Sequence, residues 1–226
     1  MRKHSEEFHP VVPLDSGDRV LRMNFTSSNT ELTDAILENT ELFTNYVNET
    51  LQGAGARYGI GGYAEHRTIY RRSAVFDADK DEEERRLHLG IDVWGKPYTK
   101  VMAPMDGIVH SFAFNNAFGD YGATIILTHH LDGMVFHSLY GHLSLNSLKN
   151  LREGDRITRG DVFAEFGIPF ENGQWPPHLH LQLIVDMEGL RGDYPGVCRY
   201  SEKDRYLQNC PDAEVWLKDL FALEAT

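Results

Sequence analysis

The chain has 226 residues, of which 22 are basic and 34 acidic, so its formal net charge is −12. That balance, with no run of lysine or arginine to offset it, argues against binding to nucleic acid or to an anionic membrane. With 41% hydrophobic and 25% charged residues, the composition is that of a globular protein, with one large domain or one domain plus an extension.

The first third of the chain contains a helical pattern. Residues 30–52 carry apolar side chains at close to helical spacing, which predicts one helix with Asn29 or Thr30 as N-cap and Gly53 at its end. The glycine-rich segment GAGARYGIGG, residues 53–62, is expected to be a flexible loop outside the core.

After an acidic segment, DADKDEEE at residues 77–84, which is expected to be a solvated loop, the pattern becomes β-rich. Short apolar runs separated by turn residues, with strands roughly 10 residues apart, predict an antiparallel β-sandwich or barrel. We therefore expect a mainly β domain at 86–190. A helical N-terminal extension at 1–85 would precede it, and a tail with a short helix at 191–226 would follow.

The N-terminal residues 1–25 lack the continuous apolar stretch of a signal peptide, and no segment has the length of a membrane span. If Met1 is the true start, a cytoplasmic protein is expected. Cys198 and Cys210 are then expected to be free thiols, since disulfides need an oxidising compartment.

A pair of histidines lies in WPPHLHLQL, residues 175–183. Alternation along a strand places His178 and His180 on one face and the leucines on the other, where Leu183 and Val185 continue the face that is expected to pack in the core. The histidines thus face away from the packed core. Such a pair alone is more often a satisfied polar face than a metal site.

Two further clusters favour the interpretation of the histidine pair as part of a metal site. HLGID brings His88 close to Asp92, with Gly90 permitting a tight backbone path, and imidazole plus carboxylate suits catalytic Zn²⁺ with three protein ligands and one open position. In YGHLS, alternation places His142 on the face of Tyr140 and Ser138.

The three clusters, in this order within a β-rich segment, resemble the lysostaphin-type (LytM-like) zinc endopeptidases. The resemblance covers about residues 87–186 and includes the segments VMAPMDGIV, NAFGDYGATIILTH, LYGHLS, REGDRITRGDVFAEFG and PPHLHLQL. It implies the lysostaphin-type (duplicated hybrid motif) peptidase fold.

The resemblance also implies a site, residue by residue. His88, Asp92 and His180 match the ligands of one Zn²⁺ per chain, and His142 and His178 match two catalytic histidines that do not bind the metal. The implied activity is that of a peptidoglycan endopeptidase-like metallopeptidase or amide hydrolase, which cleaves a peptide or small amide with zinc-activated water. One of the two catalytic histidines would accept the proton and the other would stabilise the oxyanion, with their assignment open.

Two positions are secondary candidates. His129 occupies a family-like position at a strand end and is a candidate to support the site. Arg67 would either bind an anionic group of a small substrate at the cleft rim or pair with the acids of residues 77–84, and the second interpretation is favoured.

The chain also departs from the family. Well-known relatives are exported, whereas no export signal is seen here. The segments GGYAEHRTIYRRSAVF, GDYPGVC and CPDAE resemble the form of this domain that is fused to aminotransferase-type enzymes in cytosolic proteins. Whether the N-terminal extension covers the zinc, as in latent relatives, stays open, as does the oligomeric state.

Three alternatives compete with a hydrolase. A non-haem iron or cupin site needs a glutamate after the histidine pair, where residues 181–185 read LQLIV. A carbohydrate-transport phosphocarrier also has a β-sandwich and paired histidines, but it has no need for Asp92. A binding or scaffold module that retains zinc without turnover is the third alternative.

Overall fold

The computed structural model describes residues 1–77 and 83–224. Its β-strands are β1 Val20–Arg22, β2 Tyr58–Gly61, β3 Leu87–His88, β4 Ile91–Trp94, β5 Lys100–Met102, β6 Gly107–Asn115, β7 Gly122–Leu131, β8 Met134–Leu143, β9 Arg156–Ile157, β10 Val162–Glu165, β11 His178–Ile184 and β12 Val197–Cys198. The α-helices are α1 Asp34–Glu38, α2 Thr40–Gly53, α3 Lys203–Asn209 and α4 Lys218–Phe221. Short 3₁₀ helices occur at Arg2–Glu7, Ile69–Arg72, Ala74–Phe76, Leu145–Leu148, Tyr200–Glu202 and Glu214–Trp216.

One large sheet organises the molecule. It has eight strands in the order β1-β2-β4-β11-β8-β7-β6-β9, and two two-stranded sheets, β10-β5 and β12-β3, accompany it. Each pair of neighbours in the large sheet is antiparallel apart from β1 and β2, which are parallel. The predicted mainly β class is confirmed.

The main core covers one face of the large sheet. Leu179, Leu181 and Leu183 of β11 are buried there, in the same cluster as Val101 of β5 and Ala164 of β10. The predicted leucine face of β11 is therefore the core face. The expected extension of that face to residue 185 is wrong, because the strand ends at residue 184 and the valine that follows is 49% exposed.

The helical region differs from the single helix that its spacing predicts. Asn39 has an extended backbone (φ −109°, ψ 112°) and separates α1 from α2. Its side-chain Oδ1 accepts hydrogen bonds from the amides of Glu41 and Leu42, at 2.9 and 3.0 Å. An asparagine that caps a new helix in this way interrupts the preceding one, so Asn39 is the N-cap rather than Asn29 or Thr30. The predicted end at Gly53 is confirmed.

The glycine-rich segment is not a loop outside the core. Within it, β2 is buried throughout and pairs with β4. A Cβ added at Gly59 would lie 2.7 Å from Met23 Cγ, and one at Gly61 would lie 2.6 Å from Arg67 Nη2. The glycines allow neighbouring side chains to pack directly on the strand, so the loop prediction is wrong for residues 58–61.

Strands β1 and β2, both N-terminal to residue 86, add to the edge of the same sheet that contains β4 and β11. The acidic loop expected at 77–84 lies largely outside the described residues. None of the described helices combines the length and the apolar character needed to cross a membrane. Cys198 and Cys210 are free and buried.

Candidate functional site

Three buried donor atoms converge beside the large sheet. His88 Nε2 lies 2.9 Å from His180 Nδ1, and Asp92 Oδ1 lies 3.2 Å from the first and 3.1 Å from the second. Within the described part of the chain, these residues form the group of histidine, cysteine and acidic side chains whose spacing suits a metal ion. The three residues are only 1% to 3% exposed.

The sheet register brings the donors together. In the antiparallel pair of β11 and β4, His180 lies directly opposite Asp92, and β3 delivers His88 just before β4 begins. The bend between β3 and β4 contains Gly90, where a Cβ would lie 2.6 Å from the imidazole of His180 and 2.7 Å from the Leu181 carbonyl oxygen. Only glycine lets the chain pass this close, as the sequence predicts.

Hydrogen bonds on the far side of each ring set the orientation of the two histidines. His88 Nδ1–H donates to the Gly62 carbonyl at 3.0 Å, and His180 Nε2–H donates to Gln182 Oε1 at 2.9 Å. In these tautomers, His88 Nε2 and His180 Nδ1 carry lone pairs that face the space they share with Asp92 Oδ1. Burial, followed by the charge of Arg67, lowers the pKa of His88 to about 4, so this ring is neutral at neutral pH.

The second oxygen of Asp92 is held by an arginine. Arg67 Nη1 donates to Oδ2 of the carboxylate, while Arg67 Nε donates to Glu65 Oε2 at 2.6 Å. Burial alone would raise the pKa of Asp92, but opposing electrostatic contacts, including that of the permanently charged Arg67 guanidinium, hold that pKa well below its usual range.

Arg67 is therefore not a residue of the cleft rim. Its side chain is fully buried, borders the cavity and is paired with Glu65 and Asp92. No pair with the acidic segment is present among its described residues, 77, 83 and 84, and residues 78–82 lie outside the described part of the chain. Arg71, its neighbour in the same segment, pairs with Asp34 at 2.9 Å.

His142 and His178 lie next to each other beside the three donors, with ring centroids 4.1 Å apart. Each is anchored through Nδ1–H to a backbone carbonyl, His142 to Asn172 at 2.8 Å and His178 to Pro176 at 2.7 Å. That leaves Nε2 of each ring for the cavity that both residues line. Burial lowers the pKa of His178 to about 4 and holds that of His142 well below its ordinary value.

The position of His142 is not the one that simple alternation predicts. Tyr140 packs in the main core, on the opposite face of the sheet from His178. His142 has a positive φ of 61°, and the pairing of β8 with β7 shifts register close to it. This irregularity turns His142 away from the face of Tyr140 and toward the histidine pair.

His129 takes no part in the site. Its Nδ1–H donates to the Asp106 carbonyl at 2.8 Å, and its Nε2 accepts from the hydroxyl of Ser138 at 2.7 Å. Its ring packs against Phe136 and Trp216 on the core side of the sheet. His129 therefore does not have the supporting role for which its sequence position made it a candidate, because its place on β7 directs it into the core.

Four of these five side chains, those of Asp92, His142, His178 and His180, line a cavity of about 180 Å³. Two segments outside the central strands complete its walls. One supplies Ile69, Tyr70, Val75 and Phe76, and the other supplies Tyr194, Pro195, Gly196 and Val197. The cavity is smaller than the roughly 300–1,000 Å³ typical of sites for drug-sized ligands.

The sequence reading missed several supporting residues. Gln182 is two residues after His180 on the same strand face, so alternation offered a signal for it. Gly62 and Asn172 offered no signal, because each reaches its partner across the fold, and Arg67 was a candidate in the sequence but for a different role. Trp94 is a further supporting residue, since its ring stacks on that of His178 with centroids 3.9 Å apart.

Known proteins are similar to the part of the chain that contains the candidate site. Residues 86–191 match the model of peptidase family M23. An uncharacterized metalloprotease of Haemophilus influenzae is 27% identical over 186 residues, which is 78% of this chain and 36% of that protein. The chain thus spans about a third of the length of that curated relative.

Solved structures with similar chains include two peptidases. The catalytic domain of lysostaphin from Staphylococcus simulans is 20% identical, with 74% of this chain and 98% of that domain covered and a TM-score of 0.41. A zinc-containing peptidase from Vibrio cholerae is 24% identical, with 44% and 28% covered and a TM-score of 0.35. From the family match, the chain carries a peptidase family M23 domain across residues 86–191.

Proposed function

We propose that this protein is a zinc-dependent peptide or amide hydrolase. His88, Asp92 and His180 would hold the metal, and His142 and His178 would act on the substrate. The observation that carries the proposal is the convergence of two oriented imidazoles and one carboxylate at 2.9–3.2 Å beside two further buried histidines.

The donor set fits a divalent zinc ion. His88 Nε2 and His180 Nδ1 present lone pairs because their other nitrogens donate to Gly62 and Gln182. A single oxygen of Asp92 faces them, since Arg67 engages the other. Two nitrogens and one oxygen are the ligand set of catalytic zinc sites with an open position. When bound, zinc supplies a Lewis acid and lowers the pKa of a coordinated water to about 7.

The proposed roles of His142 and His178 follow from their hydrogen bonds. Because both Nδ1 protons are committed to backbone carbonyls, each ring can accept a proton only at Nε2. Burial keeps both rings neutral at neutral pH, so either is ready to act as a base. A ring that has accepted the proton then carries an Nε2–H, which it can donate to the oxyanion or to the leaving amine.

The ring centroids of His142 and His178 are 4.1 Å apart, so protonation of both rings at once is unfavourable. Protonation of one disfavours protonation of the other through like-charge repulsion. We therefore propose that a single proton is shared by this pair during turnover, with one ring charged at a time.

The cavity suggests which part of a substrate can enter. With about 180 Å³ available, the cavity accommodates small groups on either side of a scissile bond. We propose as the substrate a peptide or small amide with small groups next to the scissile bond.

Hydrolysis assays test the proposal. Cell-wall cross-link peptides, D-amino-acid dipeptides and glycyl-glycine peptides are incubated with the protein, with and without a zinc chelator, and zinc is then restored. We expect cleavage of at least one peptide, its loss with the chelator and its recovery with zinc. Cleavage that resists the chelator would contradict a zinc mechanism.

Metal analysis of protein purified without added metal separates the alternatives. Stoichiometric zinc with turnover supports the hydrolase, while iron in its place would favour a non-haem iron site. Stoichiometric zinc with no cleavage of any peptide would favour a binding or scaffold module.

A further inference from the structure

One residue of the candidate metal site comes from outside the family M23 domain. Arg67 precedes residues 86–191, yet its guanidinium contacts Asp92 inside that domain. The contact depends on the pairing of β2 with β4, in which Gly61 lies opposite Asp92. After β2 the chain turns back, which brings the Arg67 guanidinium to the Asp92 carboxylate.

Arg67 is fixed on several sides. Its backbone amide donates to the Arg86 carbonyl at 2.9 Å, and its Nε donates to Glu65 at 2.6 Å. The guanidinium carbon lies 5.5 Å from the centre of the Phe25 ring. A buried arginine with this many contacts has little freedom to turn away from its partner carboxylate.

The space for the guanidinium depends on a glycine. A Cβ at Gly61 would lie 2.6 Å from Arg67 Nη2, so any larger residue there would displace the head group. The Nη2 nitrogen itself has no hydrogen-bond partner among the described residues. The position of the guanidinium therefore serves two contacts, that of Nη1 with Asp92 and that of Nε with Glu65.

We propose that Arg67 is a positioning residue that holds Asp92 Oδ2 and so presents only Oδ1 to the metal. This inference rests on the proposed function, because it takes Asp92 as a zinc ligand. With Oδ2 engaged, the carboxylate binds through one oxygen, and the fourth position beside the two histidines stays open. Without Arg67, the carboxylate is free to rotate and to bind through both oxygens.

The test measures metal binding rather than turnover. Zinc affinity is determined by competition with a chromophoric chelator for the wild type, Arg67→Met and Gly61→Ala. We expect both variants to bind zinc about 10- to 100-fold more weakly, which is the usual effect of losing a residue that orients a ligand. Gly61→Ala keeps the arginine and its charge but crowds its head group, so it tests the position of the head group.

Cobalt(II) supplies a second readout. Replacing zinc by cobalt gives an absorption spectrum whose intensity falls as the coordination number rises above four. We expect the wild type to give the intense spectrum of a four-coordinate site and Arg67→Met to give a weaker one. A loss of general stability would not produce this change in the metal-bound form.

Arg72→Met is the matched control. Arg72 is another buried arginine of the same segment, but its Nη2 donates to Thr40 at 3.1 Å and its guanidinium packs on Trp175. It contacts none of the three proposed ligands, so we expect zinc affinity and the cobalt spectrum to stay at wild-type values.

The outcomes separate this inference from the proposed function. A wild type that binds no zinc would overturn both. A wild type that binds zinc, together with Arg67→Met and Gly61→Ala proteins that bind it equally well and give its cobalt spectrum, would overturn the positioning role alone. An equal loss of zinc affinity in Arg72→Met would also overturn the positioning role of Arg67. If Arg67→Met does not fold, the result for Gly61→Ala decides.

Discussion

His180 and Asp92 face each other across two antiparallel strands, and the imidazole Nδ1 of one lies 3.1 Å from the carboxylate Oδ1 of the other. Each is at the centre of its strand pairing rather than on a mobile loop. The geometry of the candidate metal site is therefore set by sheet register, and a change in either strand would be felt directly at the site.

The three proposed ligands should be individually required for zinc. His88→Ala or Asp92→Ala removes one of three converging donors, and two remaining ligands hold zinc poorly. We expect both purified variants to contain no stoichiometric zinc by metal analysis, whereas the wild type contains one per chain. Full zinc content in the His88→Ala protein would show that the ligand assignment is wrong.

His142 should be required for turnover but not for zinc. Of the three proposed ligands, its ring contacts His180, at 6.3 Å between centroids. Loss of a general acid or base slows reactions by about 10²- to 10⁴-fold. We expect His142→Ala to keep its zinc and to lose kcat by that factor on any peptide that the wild type cleaves. The same measurement on His178→Ala will show which ring accepts the proton, since the base should have the larger effect at neutral pH.

Gly90 should tolerate no side chain. In Gly90→Ala the new methyl group would collide with the His180 ring and with the backbone oxygen of Leu181, and backbone cannot move aside cheaply. Such crowding typically costs about 1–3 kcal/mol. We expect a lower unfolding free energy together with weaker zinc binding. Gly53→Ala is the control, because a Cβ there meets no atom within 4 Å and its effect should be neutral or slightly stabilising.

Stability should fall in mild acid, partly through His129. Burial lowers the pKa of His129 from 6.5 to about 4, so the folded protein prefers the neutral ring. Between pH 6.5 and about 4 the unfolded chain binds the extra proton, and the unfolding free energy decreases as pH falls through this window. The full shift corresponds to about 3 kcal/mol, all of it present above pH 6.5.

The variant His129→Gln isolates this contribution. It removes the titrating group while keeping a polar side chain near Asp106 and Ser138. Chemical denaturation between pH 4 and pH 7 should give a shallower pH dependence for the variant than for the wild type. Parallel curves for the two proteins would show that His129 does not titrate differently in the folded and unfolded states.

Local patterns predicted much of the β domain correctly. The alternation of His178 and His180 against Leu179 and Leu181 follows from strand geometry alone, and the structure has that arrangement. The need for Gly90 was also visible, because a tight bend must separate the two donor residues. Such features depend on residues close together in the chain.

Other features depended on contacts between distant segments. The glycines of β2 looked like a loop, since nothing in their own sequence shows that Met23 and Arg67 would fill the space beside them. His142 left the face of Tyr140 because of a bulge, which strict alternation does not include. The helix broke at Asn39 because that side chain capped a new helix.

The sequence by itself determined the mainly β class of fold and the face of β11 on which His178 and His180 lie. These follow from short apolar runs and from the two-residue period of a strand, whereas the full set of proposed site residues came from the resemblance to a known family. Only the tertiary structure decided that Arg67 reaches Asp92, that Gly62 sets the tautomer of His88, and that residues near 70 and 195 wall the cavity. These are contacts between segments distant along the chain. The packing of one strand against another creates them, and no local pattern encodes them.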